Sequence, residues 1–215
     1  MQSRDRLIIA LDRSSRDDIL RLIDALRGAA GAFKIGLQAF IANGPPLVRE
    51  LVGTGEKIFL DLKVHDIPNT AQHALGEIAK LGVAMTTVHA AGGEAMLRAS
   101  ARDDLLVLGV TVLTSLEAPV ESVVALARMA QRSGLRGVVA SPHEVEAIRK
   151  ACGPDIVIVT PGVRPEGADA GDQRRTKTPA AAIAAGADYV VVGRPVTDAR
   201  DPRDAALRII QTFAV

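Results

Sequence analysis

The chain has 215 residues, a length that barrels of alternating strands and helices commonly fill as a single unit. Its 26 Lys and Arg balance 25 Asp and Glu, and it carries four Phe, one Tyr and no Trp, so it lacks the basic surface and stacking faces of a nucleic-acid or anionic-membrane binder. A lone Cys152 excludes an intramolecular disulfide and reads as a small apolar filler in a reducing compartment; no apolar run nears the roughly eighteen residues of a membrane span, and the charged start "MQSRDRL" is unlike a signal peptide. A cytoplasmic location is the expectation.

In chain order, short β-rich apolar runs alternate with longer helical patterns. The run "LIIALD" (7–12) precedes a helix near 16–28, "FKIG" (33–36) one near 38–53, "KIFLDLK" (57–63) one near 70–82, and "MTTVH" (85–89) one near 94–102. Then "LLVLGVTV" (105–112) precedes a helix near 119–133, "GVVAS" (137–141) one near 142–151, "IVIVTPG" (156–162) one near 178–186, and "YVVVGR" (189–194) one near 202–213. The strands are continuously apolar, as when both faces of a parallel sheet are covered. Eight such units with no linker or composition shift predict an α/β fold, a closed (β/α)8 TIM barrel forming one domain over residues 1–215, with an open doubly wound sheet as the alternative. One connection is long: "RPEGADAGDQRRTK" (164–177), rich in Gly, Pro, Asp and Arg, reads as a lid over the end of the seventh strand.

Charges cluster where such a barrel does its chemistry, at the C-terminal ends of the strands. Asp12 follows strand 1, Lys34 lies in strand 2, Asp61, Lys63 and Asp66 stand in or just after the otherwise apolar "IFLDLKVHDI", His89 ends strand 4 and Arg194 follows strand 8. Asp61 and Lys63 are two apart, so a regular strand points both the same way, into the mouth. Lys34 on the neighbouring strand can complete an alternating array of lysines and carboxylates, able to hold an ammonium and a carboxylate at a reacting centre. The competing reading is a buried ion-pair network that only fixes the fold. Beyond Asp66, Asn69 or Thr70 is the expected N-cap of the next helix.

At the other end, Gly193 and Arg194 follow strand 8, where barrels bind phosphate, although a "GR" pair is also found in plain surface turns; Gly162 after strand 7 and Gln173 in the long loop point the same way. His89 suits a hydrogen-bonded residue at a strand end better than a ligand, and His65, His73 and His143 lack partners at metal-site spacing. Nothing in the pattern requires a metal, and no nucleotide-cofactor fingerprint is present.

Taken together, these residues resemble the orotidine 5′-phosphate decarboxylase family. "DLKVHDIPNT" is similar to that family's D-x-K-x-x-D-I-x-x-T signature, and "ALD", "FKIG", "VTVLTS", "TPGVRPEG…GDQRR" and "VVGRPVTDARDP" match in order and spacing over nearly the whole chain. The resemblance implies a stand-alone homodimeric barrel that converts orotidine 5′-monophosphate to UMP and CO2 without metal or organic cofactor. It implies Lys63 as the proton donor to pyrimidine C6, Asp61 against the departing carboxylate, and Lys34 and Asp66 completing the charge array, with Asp66 and Thr70 serving the neighbouring subunit's site. It further implies Asp12 at the ribose, Ser115 at the pyrimidine, Gln173, Gly193 and Arg194 at the phosphate, and Pro161, Gly162, Val163 and Arg164 around the pocket. The main rival on the same scaffold is a magnesium-dependent sugar-phosphate decarboxylase or aldolase similar to 3-keto-L-gulonate 6-phosphate decarboxylase, in which a carboxylate replaces Lys34 and the "PNT" and "GDQ" pieces are missing. A non-catalytic phosphate-ligand-binding barrel is the other, and it predicts apolar residues at the buried charged positions.

Overall fold

The computed structural model describes residues 1–165 and 177–213, so most of the predicted lid, including Gln173, lies outside the described residues. Eight parallel strands close in sequence order into a barrel: β1 (Leu7–Ala10), β2 (Ala32–Gly36), β3 (Ile58–Val64), β4 (Met85–His89), β5 (Leu106–Val110), β6 (Gly137–Val139), β7 (Val157–Thr160) and β8 (Tyr189–Val192). The first strand pairs with β2 through Ile8 and Ala32 and with β8 through Ile8 and Val191, which leaves no open edge among them. The (β/α)8 barrel expected from the sequence is therefore present.

The strands are mostly apolar because their alternate residues enter two different cores. Ile8 and Ala10 point into the barrel with Ala32, Phe59, Met85, Leu108, Val159 and Val191, a small interior that sets the bulky Phe59 and Met85 against alanines. Leu7, Ile9, Phe33, Ile35 and Leu60 point outward, beneath the helices. Those helices are α1 (Arg16–Leu26), α2 (Leu37–Gly53), α3 (Pro68–Ala79), α4 (Gly93–Ser100), α5 (Val120–Arg132), α6 (Val145–Cys152), α7 (Pro179–Ala184), α8 (Arg194–Thr197) and α9 (Pro202–Gln211). In α1 the residues Ile19, Ile23 and Leu26 recur at helical spacing and are almost fully buried, while Ser15 caps the first turn by accepting from the Asp18 N–H.

Three local details differ from the sequence reading. The second helix is kinked at Gly44 (φ 66°), since Pro45 and Pro46 remove two backbone donors there. The third begins at Pro68 with Ile67 as N-cap, so Asn69 and Thr70 occupy its first turn instead of capping it: proline fits N1, where the missing N–H has no partner to lose. The eighth strand stops at Val192, and the Arg194 expected at its end opens the short helix α8, placing that arginine on a helical turn at the mouth.

Candidate active site

The third strand carries the site on an apolar stem. Ile58, Phe59 and Leu60 are fully buried and in register with β2 and β4, which fixes where the residues after them emerge. Beyond Leu60 the register with β4 slips: Leu60 faces Thr86, whereas Val64, four residues on, faces Val88, only two residues further along β4. Inside this bulge Lys63 has φ 52°, and it is the only non-glycine residue with positive φ among those described. A side chain in that left-handed region costs about 1 kcal/mol or more, so surrounding bonds must hold it there. Asp61 and Lys63 do meet, but through the bulge and not through the simple pleat expected from their spacing.

Four charges form a row along the mouth. Lys63 Nζ donates to Asp61 Oδ2 at 2.7 Å, Lys34 Nζ lies 3.9 Å from the same oxygen, and Lys34 Nζ donates to Asp12 Oδ1 at 3.0 Å. Signs alternate along it, so each charge offsets the desolvation of its neighbour. Asp61 is nearly buried and Asp12 is open to solvent, so the row runs from the barrel interior outwards. Gly36 leaves room for it: a Cβ there would sit 2.9 Å from Lys34 Nζ and 3.1 Å from Asp12 Oδ1. On the far side of Asp61, the buried Thr87 hydroxyl donates to Oδ1 at 2.8 Å and accepts from the Lys63 N–H at 2.9 Å. Thr87 was not among the expected site residues; its only trace in the sequence is a pair of hydroxyls inside the apolar run "MTTVH".

A cavity of about 260 Å³ opens beside this row. Asp12, Lys34, Asp61 and Lys63 line one side; Pro161, Gly162, Arg164, Gly193 and Arg194 line another; Val110, Val112, Leu113 and Val191 contribute apolar wall. Such a space can take a ligand with a flat apolar face, a reacting carbon at the ammonium row and an anion at the arginines. The remaining expected residues stand apart from it. Ser115 is exposed in the loop after β5, beside the cavity-lining Thr114; Val163 is fully buried in the outer core. Asp66 and Thr70 are exposed within the run His65–Thr70 and do not line their own chain's cavity, and the Asp66 carboxylate accepts the Ile67 N–H at 2.7 Å. Within one chain it is thus Asp12, not Asp66, that supplies the row's second carboxylate. The described ends of the long loop are tied by the Arg164 N–H donating to the Lys177 carbonyl at 3.0 Å.

His89 is half-buried with its ring 5.6 Å from that of His65. Burial first, then the neighbouring His65 and Lys63, hold its pKa below the ordinary value against the pull of Asp61, which keeps the ring neutral near pH 7. Among the described residues no group of three or more His, Cys, Asp or Glu is placed to hold a metal ion, and no helix is long and apolar enough to cross a membrane.

Comparison with known proteins gives a consistent picture. Residues 5–209 match the sequence profile of the orotidine 5′-phosphate decarboxylase / HUMPS family. The chain is 47% identical to the orotidine 5′-phosphate decarboxylase of Moorella thermoacetica over 97% of its own length and 92% of that protein's, and 46% identical to that of Heliobacterium modesticaldum over 100% and 98%. Among solved structures, orotidine 5′-phosphate decarboxylase from Lactobacillus acidophilus superimposes with a TM-score of 0.85 at 35% identity, covering 97% of this chain and 99% of that one.

Proposed function

The chain belongs to the orotidine 5′-phosphate decarboxylase / HUMPS family, and on that premise we propose that Lys63 protonates the substrate carbon within a metal-free charged mouth. The reaction is the decarboxylation of orotidine 5′-monophosphate to UMP, the last step of pyrimidine biosynthesis. The C6–carboxylate bond breaks heterolytically, neutral CO2 departs, and the electron pair stays on C6. That pair has no conjugated sink, so a fixed ammonium at C6 is the stabilisation a protein can offer. Lys63 supplies it, transfers an Nζ proton to C6 and regains a proton from water. Asp61 lies against the substrate carboxylate; their repulsion raises the bound substrate in energy and vanishes as CO2 leaves.

Lys34 and Asp12 hold the sugar side of the ligand, with the Asp12 carboxylate accepting from ribose hydroxyls. Arg194 and the Gly193 backbone grip the phosphate together with Gln173, Pro161 and Gly162 bound the pocket, and Ser115 reaches the pyrimidine from the loop after β5. Binding energy from the phosphate, remote from C6, goes into orienting the substrate against the charged row. The observation that carries this reading is the Asp12–Lys34–Asp61–Lys63 row on a cavity wall.

That row also weighs against the magnesium-dependent relatives. Lys34 Nζ already lies between the carboxylates of Asp12 and Asp61, where a divalent cation would have to sit, and its charge would repel one. We further propose a homodimer in which Asp66 and Thr70 reach the partner's cavity. Every residue of the run His65–Thr70 is exposed in one chain, and the run includes Ile67 with 66% of its surface open, a cost that a partner surface would remove. With a lone cysteine and a nucleotide substrate, the working place is the cytoplasm.

The test is ultraviolet-monitored turnover of orotidine 5′-monophosphate with EDTA present. Loss of substrate absorbance is expected; no turnover, or turnover only on adding magnesium, would contradict the reading. For the shared site, mixing inactive Lys63→Ala with inactive Asp66→Ala protein should recover about a quarter of parental activity, since half of the randomly mixed dimers carry one intact site of two. Absence of recovery with subunit exchange verified would remove Asp66 from the neighbouring site.

A further inference from the structure

We propose that Thr87 is a positioning residue for the reaction, its single hydroxyl setting both the rotation of the Asp61 carboxylate and the backbone that presents Lys63. The proposal rests on the roles given above to Lys63 and Asp61.

Three observations converge on this oxygen. First, Thr87 is fully buried on β4 and its Oγ1 uses both of its capacities within the site, donating to Asp61 Oδ1 at 2.8 Å and accepting from the Lys63 N–H at 2.9 Å. Because the hydroxyl has one proton, donation to Asp61 fixes its rotor and leaves a lone pair for the Lys63 N–H. Second, that N–H lies inside the bulge, between the paired positions Leu60–Thr86 and Val64–Val88, where the ladder between β3 and β4 is interrupted. The hydroxyl thus stands in for a missing backbone acceptor, at the one described non-glycine residue held at positive φ. Third, the Asp61 oxygens are divided: Oδ1 takes the Thr87 hydroxyl, while Oδ2 takes Lys63 Nζ at 2.7 Å with Lys34 Nζ at 3.9 Å. Turning the carboxylate would move the oxygen that aims the ammonium.

The adjacent Thr86 supplies an internal control. It is equally buried on the same strand, but its hydroxyl donates only to the Leu60 carbonyl, at 2.8 Å, and touches no charged side chain. A purely structural hydroxyl should behave like Thr86. A positioning hydroxyl should affect turnover beyond its effect on stability.

The experiment compares Thr87→Val, Thr87→Ser and Thr86→Val by kcat, KM and thermal midpoint on orotidine 5′-monophosphate, with Lys63→Ala as reference. Thr87→Val should lower kcat between about ten- and a hundredfold with KM within about threefold of parent, the scale of a reacting group displaced by an ångström or less. Thr87→Ser should restore most of it, and Thr86→Val should keep kcat within about twofold even if its midpoint falls. The proposal is overturned if Thr87→Val keeps kcat within about twofold of parent, if Thr86→Val loses as much, or if serine fails to rescue. Should Thr87→Val not fold, Thr87→Ala against Thr87→Ser decides on the same criteria. Retained activity in Lys63→Ala would instead overturn the assignment on which the proposal rests, so the two failures are distinguishable.

Discussion

The barrel has a charged network at each pole, and they use their charges differently. At the floor, Arg149 of α6 pairs with Asp188, just before β8, at 2.8 Å and donates to the carbonyls of Gly153, Pro154, Ile156 and Gly186 at 2.7 to 3.3 Å. The Asp188 carboxylate in turn accepts the Ile158 N–H of β7 at 2.8 Å. The guanidinium ties two connections together through their backbone carbonyls, and it does not line the cavity at the mouth. At the mouth the charges of Asp12, Lys34, Asp61 and Lys63 pair with one another, on a bulged strand, beside a cavity. Among the described residues the Lys63 ammonium has one such partner, Asp61, and three N–H groups to place. Partial burial of charge is common to both; what separates fold maintenance from chemistry is whether the cation's donors end on backbone or point at space for a ligand.

Each side of this contrast can be broken separately. Asp61→Asn keeps size but removes the charge that pairs with Lys63 and is proposed to repel the substrate carboxylate, and kcat should fall roughly 10²- to 10³-fold with the melting temperature nearly unchanged; a loss below tenfold would show that Asp61 is not a participant. Arg149→Ala should do the reverse. It should destabilise by about 3 kcal/mol, roughly 10 °C in melting temperature, while the folded fraction keeps parental kcat in the cold; a stable but inactive protein would erase the distinction between the poles.

A finer cut is Gly36→Ala, whose Cβ would press on Lys34 Nζ and Asp12 Oδ1. Both are ends of flexible side chains, so little stability should be lost, yet kcat/KM should drop about tenfold because the row is displaced. Unchanged kinetics would mean that the row tolerates movement. The smallest effect concerns pH. The pKa of His89 lies below the ordinary 6.5 in the folded protein, so the unfolded chain binds more protons between those two values. Stability therefore rises with pH across that window and is lost on acidification through it. Urea midpoints at about pH 7.5 and about pH 5.5 should differ less in His89→Gln than in the parent. An identical difference would assign the acid sensitivity elsewhere.

The barrel was legible because its determinants are repeated: eight apolar runs, each too continuous for a one-sided sheet, separated by helical stretches. The charged mouth was legible for the opposite reason, since Asp61 and Lys63 are costly interruptions of one such run. Thr87 was not, because threonine is at home in any strand and only the bulge opposite it gives its hydroxyl both the Asp61 carboxylate and the Lys63 backbone N–H to serve. The bulge itself depends on bonds between residues 24 and 26 positions apart, beyond the reach of local pattern. The same holds for Gly36, ordinary at a strand end until the two ion-paired side chains are placed against it. Asp66 and Thr70 were conspicuous in the motif, yet neither lines the cavity of its own chain, which is the reason for proposing that they serve a second copy.

The central claim, that the mouth's ammonium performs the reaction without fixing the fold, is tested most directly by Lys63→Ala in EDTA, with turnover and thermal midpoint measured on the same preparation. Loss of the proposed proton donor, and with it of the charge proposed to face C6, predicts at least a roughly 10⁴-fold fall in kcat in a protein that melts within a few degrees of its parent. Turnover within about tenfold of the parent, or restored by magnesium, would contradict it.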